Sequence, residues 1–167
     1  MTLTGKIGIN PYAMDDNLVE LSRLVDTLNL SRGINFTEGV GANQINMIFH
    51  DQRTLADAAN ETLAFNDGSL TNKVGVSITM DIVKAIYIKN TSSDATLILG
   101  NATSNAILLF GSTTHTHLCK PGGEFVFIAP DINGLDVTTN DELKFEHDGT
   151  GTDDLIYDLV VMGVDVP

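Results

Sequence analysis

The sequence predicts an all-β protein: a single β-sandwich, jelly-roll-like domain over residues 34–167, preceded by an N-terminal arm, residues 1–33, carrying one short helix. Three observations predict it. From Ile34 onward, apolar and polar residues alternate with a period of two, the mark of strands with one buried and one wet face. Other short runs are apolar on both faces. Turn-forming clusters separate these segments at short intervals, which suits a sandwich better than a parallel βαβ architecture.

The arm comes first. Leu18, Leu21, Leu24, Val25 and Leu28 fall at helical spacing, and Asp16 or Asn17 can cap the turn. A short amphipathic helix is therefore expected over about Asp15 to Thr27, with Pro11 upstream of its start. These five apolar residues are the candidate interface, because a stripe outside a sandwich must be covered by its own domain or by a partner.

Then come the strands. Ile34 and Phe36 alternate with polar residues, as do Ile45, Met47 and Phe49, and Val76, Ile78 and Met80. The runs Val83 to Ile88, Leu97 to Leu99, Ala106 to Phe110, Phe125 to Ala129 and Leu155 to Met162 carry apolar residues on both faces and predict inner strands. Between them lie Asn66-Asp67-Gly68, Pro121-Gly122-Gly123, Asn133-Gly134 and Asp148-Gly149-Thr150-Gly151, all turn chemistry.

Charge narrows the function. With 9 basic and 22 acidic residues among 167, the net charge is −13. Such a surface repels phosphate backbones and anionic lipid, and no Lys/Arg cluster offsets it, so neither nucleic acid nor membrane is an expected partner. No apolar run approaches the ~18 residues of a membrane helix, and Met1 is not followed by a basic-then-apolar leader. The single cysteine, Cys119, forms no internal disulfide. Synthesis in a reducing cytoplasm is the expectation, and the Asn-x-Ser/Thr triplets at Asn35, Asn60 and Asn101 are then chance matches.

The most chemical-looking stretch is Thr114-His115-Thr116-His117-Leu118-Cys119. On a strand, His115, His117 and Cys119 share a face, and imidazole with thiolate suits zinc or copper. A fourth ligand would come from His50 or His147. The commoner circumstance is a strand with incidental histidines and a small buried cysteine, so no metal or other cofactor is assigned. Asp131-Ile132-Asn133-Gly134-Leu135-Asp136, with Glu142, has the flavour of a calcium loop. It fails where Leu135 and Asp136 replace the oxygen donor and the glycine such a loop needs. Asp148, Asp153 and Asp154 are expected to form a solvated acidic turn. Nucleophile elbows, phosphate loops and zinc-protease motifs are absent from the sequence, and no enzyme activity is expected. A carbohydrate- or receptor-binding module is the alternative. Sugar-binding sandwiches favour exposed aromatics, however, and this chain has no Trp and only Tyr12, Tyr87 and Tyr157.

One ordered pattern remains. It starts Gly39-Val40-Gly41-Ala42-Asn43-Gln44 and runs through Phe49-His50-Asp51-Gln52-Arg53 and Val83-Lys84-Ala85-Ile86-Tyr87 to Lys120-Pro121-Gly122-Gly123 and Tyr157-Asp158-Leu159-Val160-Val161-Met162-Gly163. It resembles small virion structural proteins of tailed bacteriophages, of the kind that decorate or cement a capsid. The resemblance covers about residues 30 to 164 and implies a jelly-roll-like sandwich on the capsid exterior. It further implies a homo-oligomer, dimer or trimer, that bridges neighbouring copies of the major capsid protein, with a carbohydrate- or receptor-binding module of a phage head or tail fibre as the alternative. The arm, Met1 to Arg32, departs from this pattern, and its apolar stripe makes it the element expected to reach a neighbour.

Overall fold

The computed structural model describes residues 3–19, 22–151 and 153–167. In chain order the strands are β1 Gly5–Ile9, β2 Tyr12–Val19, β3 Ser22–Asn29, β4 Arg32–Glu38, β5 Gln44–Ile45, β6 Met47–Leu55, β7 Asn60–Ala64 and β8 Leu70–Thr71. They continue with β9 Ser77–Ile78, β10 Ile82–Asn90, β11 Leu97–Gly100, β12 Thr116–Cys119, β13 Glu124–Ile128, β14 Leu135–Asp136, β15 Glu142–His147 and β16 Leu155–Val164. Among the described residues a single 3-10 turn, Leu108–Phe110, interrupts them. The protein is all-β.

Two antiparallel sheets share one apolar core. The first runs β13-β10-β16-β6, with β14 beside β10, and the second runs β12-β11-β15-β7. The period-two pattern puts Tyr157, Leu159 and Val161 of β16 and Ile86 and Ile88 of β10 on the inner face. Leu97 and Leu99 of β11 and Leu143 and Phe145 of β15 meet them from the other sheet. The rings of Phe145 and Tyr157 stack with centroids 4.8 Å apart. Each such buried side chain contributes ~1.5–3 kcal/mol of transfer free energy.

The runs apolar on both faces have a specific cause. The outer face of the first sheet is also covered, at one end, by a three-stranded sheet in the order β1-β4-β5. Ile7, Phe36 and Ile45 from that sheet pack on Ala85 of β10 and Met162 of β16. Met162 and Ala85 are therefore buried although they point away from the main core. Ile7 lies before the boundary expected at residue 33, yet it is only 8% exposed.

Two expectations are corrected. Where helical spacing predicts a helix over Asp15 to Thr27, the described residues form a hairpin, β2 against β3. An isolated helix of a dozen residues is marginal in water, and Asp15, Asp16, Asn17 and Asp26 are poor helix-interior residues. Strand pairing with the neighbouring segment satisfies the same backbone groups without a partner. Leu21 lies outside the described residues, and for Leu18, Leu24 and Val25 the backbone alone is described. Ala106 to Phe110 is not a strand either. Ala106 makes one parallel bridge to Glu142, Ile107 is buried, and the 3-10 turn then ends at Gly111, whose φ of 81° only glycine adopts at ease.

Candidate functional site

The N-terminal hairpin is the element that stands apart. β1 pairs with β4 from Gly5 opposite Phe36 to Ile9 opposite Arg32, and β2 pairs with β3 from Tyr12 opposite Asn29 to Val19 opposite Ser22. The register is unchanged across the junction, so the two ladders are one ribbon. Pro11 marks the joint. It has no N–H to donate, but its carbonyl accepts the Leu30 N–H at 3.2 Å, and the Ser31 hydroxyl donates to Asn10 Oδ1 at 2.6 Å. At the usual rise, the eight-residue strands extend about 25 Å beyond it.

The ribbon's root is held on the body of the protein. Ile7 and Phe36 anchor the root, whereas β2 and β3 pair with no other strand among the described residues. Both outer edges of that part carry backbone donors and acceptors without strand partners. Leu28 is 54% exposed and Ile9 50%. An apolar cleft of 230 Å³ opens at the root, lined by Ile7, Ile9, Arg32, Gly33, Ile34 and Ile128.

The histidine–cysteine stretch is divided by the fold. Cys119 pairs with Leu97 and lies in the core, 2% exposed, where burial pushes its thiol up from the usual range. His117, at the rim, is exposed and packs against the Phe110 and Phe125 rings at 5.9 and 5.2 Å. His115 precedes β12, with Nδ1 3.0 Å from the Phe110 carbonyl. His147 lies across Leu97 from Cys119, two strands or about 10 Å away. Its Nδ1 accepts the Gly149 N–H at 3.0 Å. His50 is exposed on β6, in the other sheet. Among the described residues no three His, Cys, Asp or Glu side chains are grouped to hold a metal ion.

The acidic turns are self-contained. Asp131 Oδ1 accepts the N–H groups of Asn133 and Gly134, and those bonds hold its carboxyl below the usual range. Asp136 does the same with Thr138. A cation is already present beside Asp131, because Lys84 is fully buried and its ammonium donates to the carbonyls of Asp131 and Ile132, the latter at 2.9 Å. Burial lowers the Lys84 ammonium from the usual lysine range, opposed by the Asp131 charge. Gly134 is required where this loop passes β10: at φ 50°, a Cβ would lie 2.5 Å from Ile82 Cγ2. Burial works against ionisation of Asp148, yet hydrogen bonds from Thr150 and Thr96 outweigh it and bring the carboxyl down to about 2.

Three features escape motif searching. One is the buried Lys84. Another is the group of Arg53, Glu61 and Tyr157 joining β6, β7 and β16. The third is a polar cleft of 510 Å³ formed by the β11–β12 and β14–β15 connections, with Asn101, Asn105 and Asn140 on its walls. The only sequence signal for the last is the small-polar run Asn101-Ala102-Thr103-Ser104-Asn105. No protein-family model matches this chain, and no curated protein is significantly similar to it.

Proposed function

We propose that this chain is a structural virion protein, a jelly-roll decoration (cement) protein that sits on the exterior of a tailed-phage capsid and bridges neighbouring subunits of the major capsid protein. The observation that carries the reading is the ribbon: a two-stranded arm anchored at its root, without strand partners along its outer edges, beside an apolar cleft. Strand edges and exposed leucines of this kind are met by a neighbouring chain in an assembly.

The strand order supports the jelly-roll part. With the strands of the two facing sheets other than β14, namely β6, β7, β10, β11, β12, β13, β15 and β16, numbered 1 to 8, the sheets run 1-8-3-6 and 2-7-4-5. That is the winding of two Greek keys, an architecture common in capsid proteins. The fold carries no activity by itself. A dimer or trimer made in the bacterial host cytoplasm completes the reading, since each modest contact is multiplied by shell symmetry.

The test is excision of the ribbon. Removing residues 1–32 would strip Ile7 from the second apolar cluster, so residues 10–31 are replaced instead by Asn-Gly between the paired Ile9 and Arg32. Undecorated shells are then incubated with either protein and sedimented. The intact chain should co-sediment and the excised chain should stay in solution with its cooperative unfolding preserved. Equal co-sedimentation of both overturns the proposal.

A further inference from the structure

We propose that the polar cleft between the β11–β12 and β14–β15 connections is a binding site for a neutral saccharide, one or two hexose rings in size. Its 510 Å³ lies within the range of small-molecule sites.

The lining chemistry selects the ligand class. Asn101, Asn105 and Asn140 present amides, and Thr103 and Thr113 present hydroxyls. Each amide both donates and accepts, as does each hydroxyl, which matches the mixed donor–acceptor surface of a sugar. The cleft also holds Lys144, but its ammonium is 2.5 Å from Glu146 Oε2. On the adjoining wall Ser104 donates to Glu142 at 3.1 Å. Among the described residues Lys144 is the one charged residue lining the cleft and Glu146 meets its charge, so the walls offer no unpaired charge to an anion or a cation. A neutral polyol needs none.

The wall is built before any ligand arrives. Ala102, Ala106 and Ile107 are 8%, 5% and 3% exposed and pin the loop to the core. The Glu142 N–H donates to the Asn105 carbonyl, and the Ile107 N–H to the Glu142 carbonyl, both at 2.9 Å. Asn101 and Asn105 hold left-handed backbones, φ 58° and 44°, between these anchors. Asparagine tolerates this backbone, so the turn holds its shape without strain. A loop already ordered loses less freedom on binding, which offsets the absence of a stacking aromatic. The site lies on the two-sheet body rather than the ribbon, so it is independent of the bridging role.

The experiment titrates the full-length, isotope-labelled protein with maltotriose, chitotriose and lactose and follows backbone amide shifts. Saturable shifts at Asn101–Asn105, Thr113 and Asn140 are expected with at least one of them, at a Kd of about 1 mM. Asn140→Ala, which is not one of the left-handed positions, should weaken binding about threefold to tenfold, and Asn105→Ala likewise. The chain with residues 10–31 excised should bind as the intact one does. The proposal is overturned if none of the three sugars shifts these amides at tens of millimolar. It is equally overturned if the shifts map to the exposed face around His50 and Tyr87, or if Asn140→Ala binds unchanged.

Discussion

Arg53 and Glu61 are joined by two hydrogen bonds to a single carboxylate oxygen, the one from Nε at 2.7 Å and the other from Nη2. Arg53 belongs to β6 in one sheet and Glu61 to β7 in the other, so the pair ties the sheets where the chain crosses between them. The second carboxylate oxygen accepts the hydroxyl of buried Tyr157 at 2.9 Å. Burial, then the Glu61 charge and its hydrogen bond, push the Tyr157 phenol up.

Removal of the carboxylate should therefore leave the buried Tyr157 hydroxyl without its acceptor and Arg53 with Asp51 alone among the described residues. Glu61→Ala is expected to lower unfolding free energy by about 2–3 kcal/mol, and Tyr157→Phe by about 1–2 kcal/mol. Urea unfolding of each variant measures both. A Glu61→Ala loss below about 0.5 kcal/mol would place the pair among inert surface ion pairs.

Part of the acid sensitivity should run through Asp148. Its carboxyl titrates near 2 in the folded chain against 3.8 for the free group. A depressed folded value means a contribution fully present above 3.8 and lost as pH falls from there toward about 2. Asp148→Asn should flatten the decline in melting temperature across that window. An unchanged slope would assign the acid sensitivity to other carboxylates.

Cys119 should be inert in the folded protein. It is 2% exposed and its thiol is raised by burial, so little thiolate is present and reagent cannot reach it. Ellman's reagent should react at the rate of unfolding and at once in denaturant. Fast reaction of the native chain would place the thiol on the surface.

Hydrogen exchange should divide the ribbon at Pro11. Amides of β2 and β3 are protected only by each other and should exchange by local opening, whereas those of β10 and β16, paired on both sides in the shared core, should wait for global unfolding. Equal protection in the isolated chain would mean that the outer ribbon is covered.

The sequence by itself determined the all-β class, because period-two alternation and turn chemistry are local properties. Phe36, Ile45, Phe49, Ile78 and Met80 are buried where that alternation puts them, whereas Val76 is 58% exposed. It also placed His117 and Cys119 on one strand face, since that follows from pleating alone. Only the tertiary structure decided what those faces meet. Cys119 enters a shared core while His117 stops at its rim, and Met162 is buried because β1, β4 and β5 cover it from the far side. The arm shows the limit most sharply. Leu18, Leu24, Val25 and Leu28 fit a helical stripe, but a helix of this length depends on tertiary packing of that stripe, which spacing alone does not supply. The β1–β4 ladder extends instead past Pro11 in its own register, since continuing an existing ribbon costs less conformational entropy than nucleating a helix.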